Sequence, residues 1–268
     1  MSHSLAKMTW EDVREAALAR RVVLVPVGAI EQHGPHLPVD TDNLSVTEVC
    51  ERAAAAAPDL LLCAPPIHYG FNEHNMDFPG TVTVDPDHFV HYCTDVAKSF
   101  GRMGFRRVLL VNGHGSNAHL LEQAARLATL QSPAKVASVS YWALVVEEFS
   151  AIRESPFPGG TSHACEFETS VYLALDPEHV RRDRIVPGIR AQTRYFWEDL
   201  MGASPVRFTD WRSTQTETGI GGDPTLATAQ KGMKIVEAAA ARLVEVAREF
   251  RDLHIGERKS FLPDVPQY

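Results

Sequence analysis

Three short stretches of the chain concentrate side chains able to hold a metal ion. EQHGPHLPVDTD, positions 31–42, carries Glu31, His33, His36, Asp40 and Asp42, with Gly34, Pro35 and Pro38 stiffening the backbone between them. NGHGSN, positions 112–117, carries His114 and Ser116, and SHACEFETS, positions 162–170, carries His163, Cys165, Glu166 and Glu168. Carboxylates mixed with imidazoles suit Zn²⁺, Mn²⁺ or Fe²⁺, and such ions bring the pKa of bound water down to about 7, which makes a nucleophile at neutral pH. Singly, a loop histidine is more often a capping or solvated residue than a ligand, and acidic residues are favoured in the first turn of any helix by its dipole. A metal site therefore requires that the stretches meet. His68, His74, His88, His91, His119 and His179 are read as ordinary surface or core residues.

The elements around the stretches bring two of them together and leave the third where it can complete one site. VVLVPVGAI, LLLCAPPIHYG, RVLLVNGHG and AKVASVSYW are nearly continuous in apolar residues, the mark of strands covered on both faces. Between them the spacing predicts helices over about 43–57, 85–103 and 117–131. Strand and helix alternate, so the expected fold is α/β, a three-layer α/β/α sandwich with a mostly parallel sheet, in one domain over 1–268. Parallel strands end at one edge, where ligands bind. EQHGPHLPVDTD follows the first strand and NGHGSN the third, and SHACEFETS looks like the start of a helix. Glu166 and Glu168 are two residues apart, about 200° around a helix, so at most one of them can face a given metal. The stretches 150–162 and 200–223 read as irregular, and the second, with Phe208, Trp211 and Ile220, is expected to line the pocket or a subunit contact near it. The stretch 224–252 reads as one long amphipathic helix opened by Asp223 before Pro224.

With 34 acidic and 26 basic residues among 268, the formal charge of −8 disfavours a nucleic acid partner and favours a small molecule. Cys50, Cys63, Cys93 and Cys165 form no CxxC pair, which fits a reducing cytoplasm. No apolar run reaches the roughly 18 residues of a membrane span, and the N-terminal stretch lacks the pattern of a signal peptide. No GxGxxG or phosphate loop follows the first strand, which weighs against the rival reading of a non-catalytic nucleotide- or metal-binding α/β domain.

At these residues the sequence resembles the creatininase family of metal-dependent amidohydrolases. The likeness covers EQHGPHLPVDTD, FPGT at 78–81, NGHGSN, SHACEFETS and GGDPTLATAQKG, in order over most of the chain. It implies two divalent metal ions, Zn²⁺, Mn²⁺ or Fe²⁺, and hydrolysis of a C–N bond in a small, cyclic amide or formamide by metal-bound hydroxide. By motif position Glu31 and His33 resemble ligands to different metals, Asp42 the bridging carboxylate, and His114 a further ligand. His36 resembles a residue that orients a ligand. Creatininase itself carries a Glu two residues beyond the His of the third-strand loop, where this chain has Ser116, so the resemblance assigns the last ligand to Glu166. Glu168 is left as a supporting carboxylate of the catalytic machinery, with His163 as the proton shuttle. Cys165 stands where the motif has Gly. These departures predict that creatinine is not the substrate. The family also implies a homo-oligomer, a hexamer, and leaves open a non-amide substrate such as an oxidised inositol, sugar or lactone at the same site.

Overall fold

The structure is a computed structural model that describes residues 2–188, 192–207, 209–256 and 259–262. Its central sheet has four strands, β1 (Val22–Val27), β2 (Leu61–Cys63), β3 (Arg107–Asn112) and β4 (Lys135–Ser140), in the order β2-β1-β3-β4 and parallel throughout. Eight α-helices accompany it among the described residues: α1 (Trp10–Leu18), α2 (Thr41–Ala56), α3 (Pro86–Arg102), α4 (Ala118–Gln131), α5 (Val146–Ser150), α6 (Glu166–Leu175), α7 (Arg212–Gln215) and α8 (Ala229–Asp252). A small antiparallel pair, β5 (Thr161–His163) with β6 (Gly221–Gly222), lies apart from the main sheet.

Strand alternation builds the three layers. Val22, Leu24, Leu109 and Val111 pack with Val46, Val49 and Ala53 of α2, Phe167 and Val171 of α6, and Ile235, Val236 and Leu243 of α8. Val23, Val25, Val108 and Leu110 face the other way, onto Ala16 of α1, Phe89, Val90 and Cys93 of α3, and Leu121 and Ala124 of α4. All six residues of β1 are buried, which is why its sequence shows no alternation. Each fully buried Val or Leu contributes about 1.5–3 kcal/mol, so losing either face would exceed the net stability of a domain.

Several boundaries differ from the sequence reading. The run AKVASVSYW was expected to be buried, yet β4 is one of the two edge strands of the sheet and is mostly half-buried. Asp223 does accept a hydrogen bond from Thr225 N at a helical turn, but that turn is the short 3₁₀ segment Pro224–Leu226. The long helix starts later, where the Thr228 side chain accepts from Lys231 N. α2 begins at Thr41 rather than about 43, which puts Asp42 in its first turn, where the helix dipole favours a carboxylate. α1, opened by a reciprocal cap between Thr9 and Asp12, has no counterpart in the sequence reading. No helix among the described residues is long and apolar enough to cross a membrane, and all four cysteines are free and buried.

Candidate metal centre

The three stretches meet at the C-terminal edge of the sheet. β1 runs out into Glu31 and His33, and the neighbouring β3 runs out into His114, with Val27 and Asn112 in register and Gly113 N donating to Val27 O at 2.8 Å. A Cβ on Gly113 would come within 2.7 Å of Asp42 O, so this close passage of the third-strand loop over α2 requires glycine. Gly34 has φ +66°, and a Cβ there would lie 2.7 Å from Ile220 Cγ1. β5 and the turn after it deliver His163 and α6. In that turn Ala164, fully buried, takes φ 50°, a left-handed conformation uncommon for a residue with a Cβ.

Three groups of side chains each place one ligand atom apiece within 4.8 Å of one another: Glu31, Asp42 and His114; His33, Asp42 and Glu168; Glu31, His33 and His163. Asp42 belongs to the first two and Glu31 to the first and third. His114 Nδ1 is 3.0 Å from Glu31 Oε1 and 3.0 Å from Asp42 Oδ2. Its Nε2 lies 3.1 Å from the carbonyl of Phe71, which accepts from it and so leaves Nδ1 bare. His33 Nδ1 likewise faces the Glu31 carbonyl at 3.3 Å, and Nε2 lies 3.3 Å from Asp42 Oδ1. His33 Nε2 and Asp42 Oδ2 are buried and take no hydrogen bond. With the imidazoles neutral, lone pairs would face one another here at about 3 Å, so the cluster needs either protons or a metal cation between them.

The electrostatics carry the same message. Burial opposes charge on His33, but Asp42, Glu168 and Glu31 outweigh it and hold the imidazole up to about 10. His114 is also held well above the ordinary range, against its burial, by Glu31 and Asp42. Burial raises the carboxyl of Glu168 to about 7, with Asp42 and Glu31 adding to it and His33 opposing. Asp42 is brought down to about 2 by His33 and His114 despite burial. Protons are here doing what a divalent ion does for such a set, and the mixture of carboxylates and imidazoles fits Zn²⁺, Mn²⁺ or Fe²⁺.

The structure places the two glutamates of α6 in different surroundings. Glu166 is absent from every such group among the described residues: its buried carboxylate accepts from Lys231 Nζ at 2.5 Å, Ser155 N at 2.9 Å and Glu154 N at 3.1 Å. It thereby ties the 151–160 loop to α8. Glu168, about 200° further around α6, takes the place beside His33 and Asp42. His36 Nε2 pairs with Thr169 Oγ1 at 2.9 Å. It joins the first-strand loop to α6, one residue beyond Glu168, and burial with the nearby His33 charge lowers it to about 4. Ser116, where a ligand carboxylate was missed, lies 3.4 Å through Oγ from His74 Nε2.

His163 Nε2 lies 2.7 Å from Gln32 O, and its Nδ1 lies 3.5 Å from Glu31 Oε1. The residues that sequence reasoning passed over are mostly amides. Asn75 Nδ2 donates to Glu31 Oε2, and Asn75 Oδ1 accepts from Gln32 Nε2 at 3.2 Å. Thr81, from the FPGT segment, accepts from Gln32 N at 3.1 Å. Only EQH, as neighbours of ligands, and FPGT offered any signal for them. Above the cluster opens a cavity of about 530 Å³ lined by Glu31, His114, His163 and Glu168, with Trp142, Phe196 and Trp197 among its walls. The stretch 200–223 contributes Met201, Arg207, Asp210 and Arg212 to that lining. Trp211 is not among the lining residues, Ile220 is buried against Gly34, and Phe208 lies outside the described residues.

Comparison with known proteins identifies the family of the chain. The family model for creatininase, described as creatinine amidohydrolase, matches residues 6–247. The chain is 34% identical over 228 residues to a mycofactocin precursor peptide peptidase of Mycobacterium tuberculosis, covering 81% of this chain and 80% of that protein. It is 28% identical over 263 residues to a 3-dehydro-scyllo-inosose hydrolase of Thermotoga maritima, covering 91% and 82%. To the creatinine amidohydrolase of Pseudomonas putida it is 29% identical over 262 residues, covering 91% and 96%. A solved structure of creatininase described with Mn superposes with a TM-score of 0.82 at 27% identity, over 94% of this chain and 100% of that one. A mutant creatininase of Zn-Zn type gives 0.80 at 26%, with the same coverage.

Proposed function

The chain belongs to the creatininase family of hydrolases, and from that premise we propose that it is a dinuclear metal-dependent amidohydrolase that cleaves a C–N bond of a small amide or formamide. The observation that carries the reading is the pair of triads sharing Asp42: Glu31, Asp42 and His114 for one ion, His33, Asp42 and Glu168 for the other. When bound, divalent metal supplies an attacking water of lowered pKa and polarises the scissile carbonyl. The chain's own residues do the rest. Phe71 O and Glu31 O fix the tautomers of His114 and His33, so that Nδ1 of one and Nε2 of the other are presented as ligands. Asn75 holds Glu31 through its second oxygen. His163, oriented by Gln32 O, keeps Nδ1 toward the site and carries the proton to the leaving nitrogen. Trp142, Phe196 and Trp197 narrow access to water above the ligands.

Creatinine is not the substrate in this reading. Ser116 offers a hydroxyl at the position of the creatininase carboxylate, and the last ligand comes instead from α6, so the reacting centre sits in a different frame; a shift of about 1 Å can cost roughly 100-fold in rate. A second reading, the same site acting on an oxidised inositol or lactone, is supported by the similarity to the 3-dehydro-scyllo-inosose hydrolase. We also propose a cytoplasmic homo-oligomer, a hexamer by family resemblance.

Elemental analysis of protein purified without added metal, paired with a hydrolysis screen over creatinine, hydantoins, cyclic imides, formamides, short peptides and lactones, tests the function. Two equivalents of transition metal per chain with turnover of an amide or formamide is the expected result. Folded protein that holds no metal and gains none from Zn²⁺ or Mn²⁺ removes the proposal, and creatinine turnover at a kcat/KM of about 10⁴ M⁻¹s⁻¹ or more removes its substrate clause.

A further inference from the structure

One cationic group in the cavity wall is unused by the chemistry above. Arg212 is 7% exposed, on α7, and is one of the residues that line the cavity together with Glu31, Ser162 and His163. Its Nε donates to Asn75 Oδ1 at 3.3 Å, and Asn75, fully buried, donates in turn to Glu31. One amide side chain therefore separates the guanidinium from a ligand of the proposed metal centre. Asn75 Oδ1 also takes the Gln32 amide, which fills both its lone pairs and fixes the plane of the fork.

One terminal nitrogen of the guanidinium, the buried Nη1, makes no hydrogen bond to the described residues. The Glu198 Oε2 atom is 3.8 Å away, close enough to stabilise the charge but too far to take the N–H, and that oxygen already accepts from Ser162 Oγ at 2.7 Å. An arginine N–H kept from water and left unpaired costs free energy that packing alone does not return. The residue is also held from the other side, since the adjacent Ser213 Oγ donates to Asp77. A planar fork, rigidly mounted with donor capacity to spare, is the usual device for an oxyanion, which guanidinium meets with two parallel bonds.

We propose that Arg212 anchors a carboxylate of the substrate, so that the enzyme selects small amides or formamides bearing a carboxylate close to the scissile bond. This rests on the hydrolase reading of the site and names its substrate class. The short path from Arg212 through Asn75 to Glu31 sets the scale: one small molecule can place its carbonyl at the metal centre and its carboxylate at the guanidinium.

A matched pair of probes tests it, N-formylglycine and N-formylglycinamide, titrated calorimetrically into zinc-loaded wild-type protein and variants, with metal content and melting temperature measured alongside. Wild type should bind the acid about 10- to 100-fold more tightly than the amide, the range of a charge-assisted hydrogen bond. In R212Q the two affinities should fall within about threefold of each other with metal content unchanged, and E198Q, which removes the competing carboxylate, should strengthen acid binding. R212K, which keeps the charge and loses the fork, should fall between, and it carries the test if R212Q does not fold. An acid preference that persists in R212Q and R212K, as when the carboxylate ligates zinc directly, overturns the proposal, as does a wild type that binds neither probe or both equally. Hydrolysis of amides without acid preference removes the anchor alone. Acid preference lost in R212Q, in a protein that hydrolyses no amide, leaves the anchor and removes the amidohydrolase reading.

Discussion

The two glutamates of SHACEFETS show what a motif position and a helix can each decide. Helical geometry alone says that Glu166 and Glu168 face opposite sides; which of them is left beside His33 and Asp42 is set by α8, whose Lys231 sits opposite Glu166. That lysine lies 65 residues away in sequence, and no local pattern announces the pairing. Separate consequences follow for the two side chains. Glu168→Gln should lose one metal and nearly all turnover, because an amide is a poor ligand for the second triad. Glu166→Gln should keep both metals and melt earlier: removing one partner of a fully buried pair costs about 3–5 kcal/mol, and Lys231, which is half-buried and keeps Glu154 and Leu226 O as acceptors, brings the loss below that range. Metal analysis beside thermal melts of the two variants checks this, and metal loss in the Glu166 variant would restore the motif-based assignment. His163→Ala should keep both metals and lose about 10²- to 10⁴-fold in turnover, and a missing metal would make His163 a ligand.

At the scale of elements, the parallel sheet was legible because two-sided burial writes itself as unbroken apolar runs, and the helices because α3 and α4 keep an apolar stripe. The sheet topology in turn predicts that two of the three stretches converge, and Glu31, His33, Asp42 and His114 do lie together at that edge. What escaped is what has no period: the two-residue strand β6, the four-residue α7 with Arg212, and the amides of Gln32 and Asn75. The glycine of EQHG shows how such parts fix the loop. Ile220, just before β6, occupies the space a Gly34 side chain would need, and the positive φ adds to the difficulty. Gly34→Ala should destabilise the fold by at least about 1–2 kcal/mol and weaken metal binding more than Glu166→Gln does, because the distortion falls between His33 and His36. Urea melts and competitive metal titration give the two quantities. Unchanged metal affinity would mean that the loop is held by its prolines and by Thr81 alone.

At the scale of the whole molecule, the centre couples stability to both metal and pH. In the metal-free protein His33 holds its proton up to about 10 against 6.5 in the unfolded chain, and Glu168 up to about 7 against 4.5. In both cases the folded state binds protons more tightly, so each contribution is complete below the unfolded value and is lost as pH rises through the folded one. Asp42 has the opposite sign, but its change lies between about 2 and 3.8 and is constant above pH 5. The metal-free protein should therefore lose stability from these groups between pH 5 and 9, at a slope on the order of 1 kcal/mol per pH unit per proton. Metal binding must displace the same protons, so affinity rises with pH and the ion's stabilisation grows where the protons' contribution fades. At 100 times its dissociation constant a single bound ion contributes about 2.7 kcal/mol, several degrees of melting temperature for a chain of this size. The gap between metal-loaded and chelator-treated melting temperatures should accordingly widen from pH 5 to pH 9, with proton release visible as a dependence of the binding enthalpy on the buffer. A gap that narrows over that range would mean that His33 and Glu168 are not protonated in the metal-free fold, and that the buried cluster is held together by something other than the protons a metal would replace.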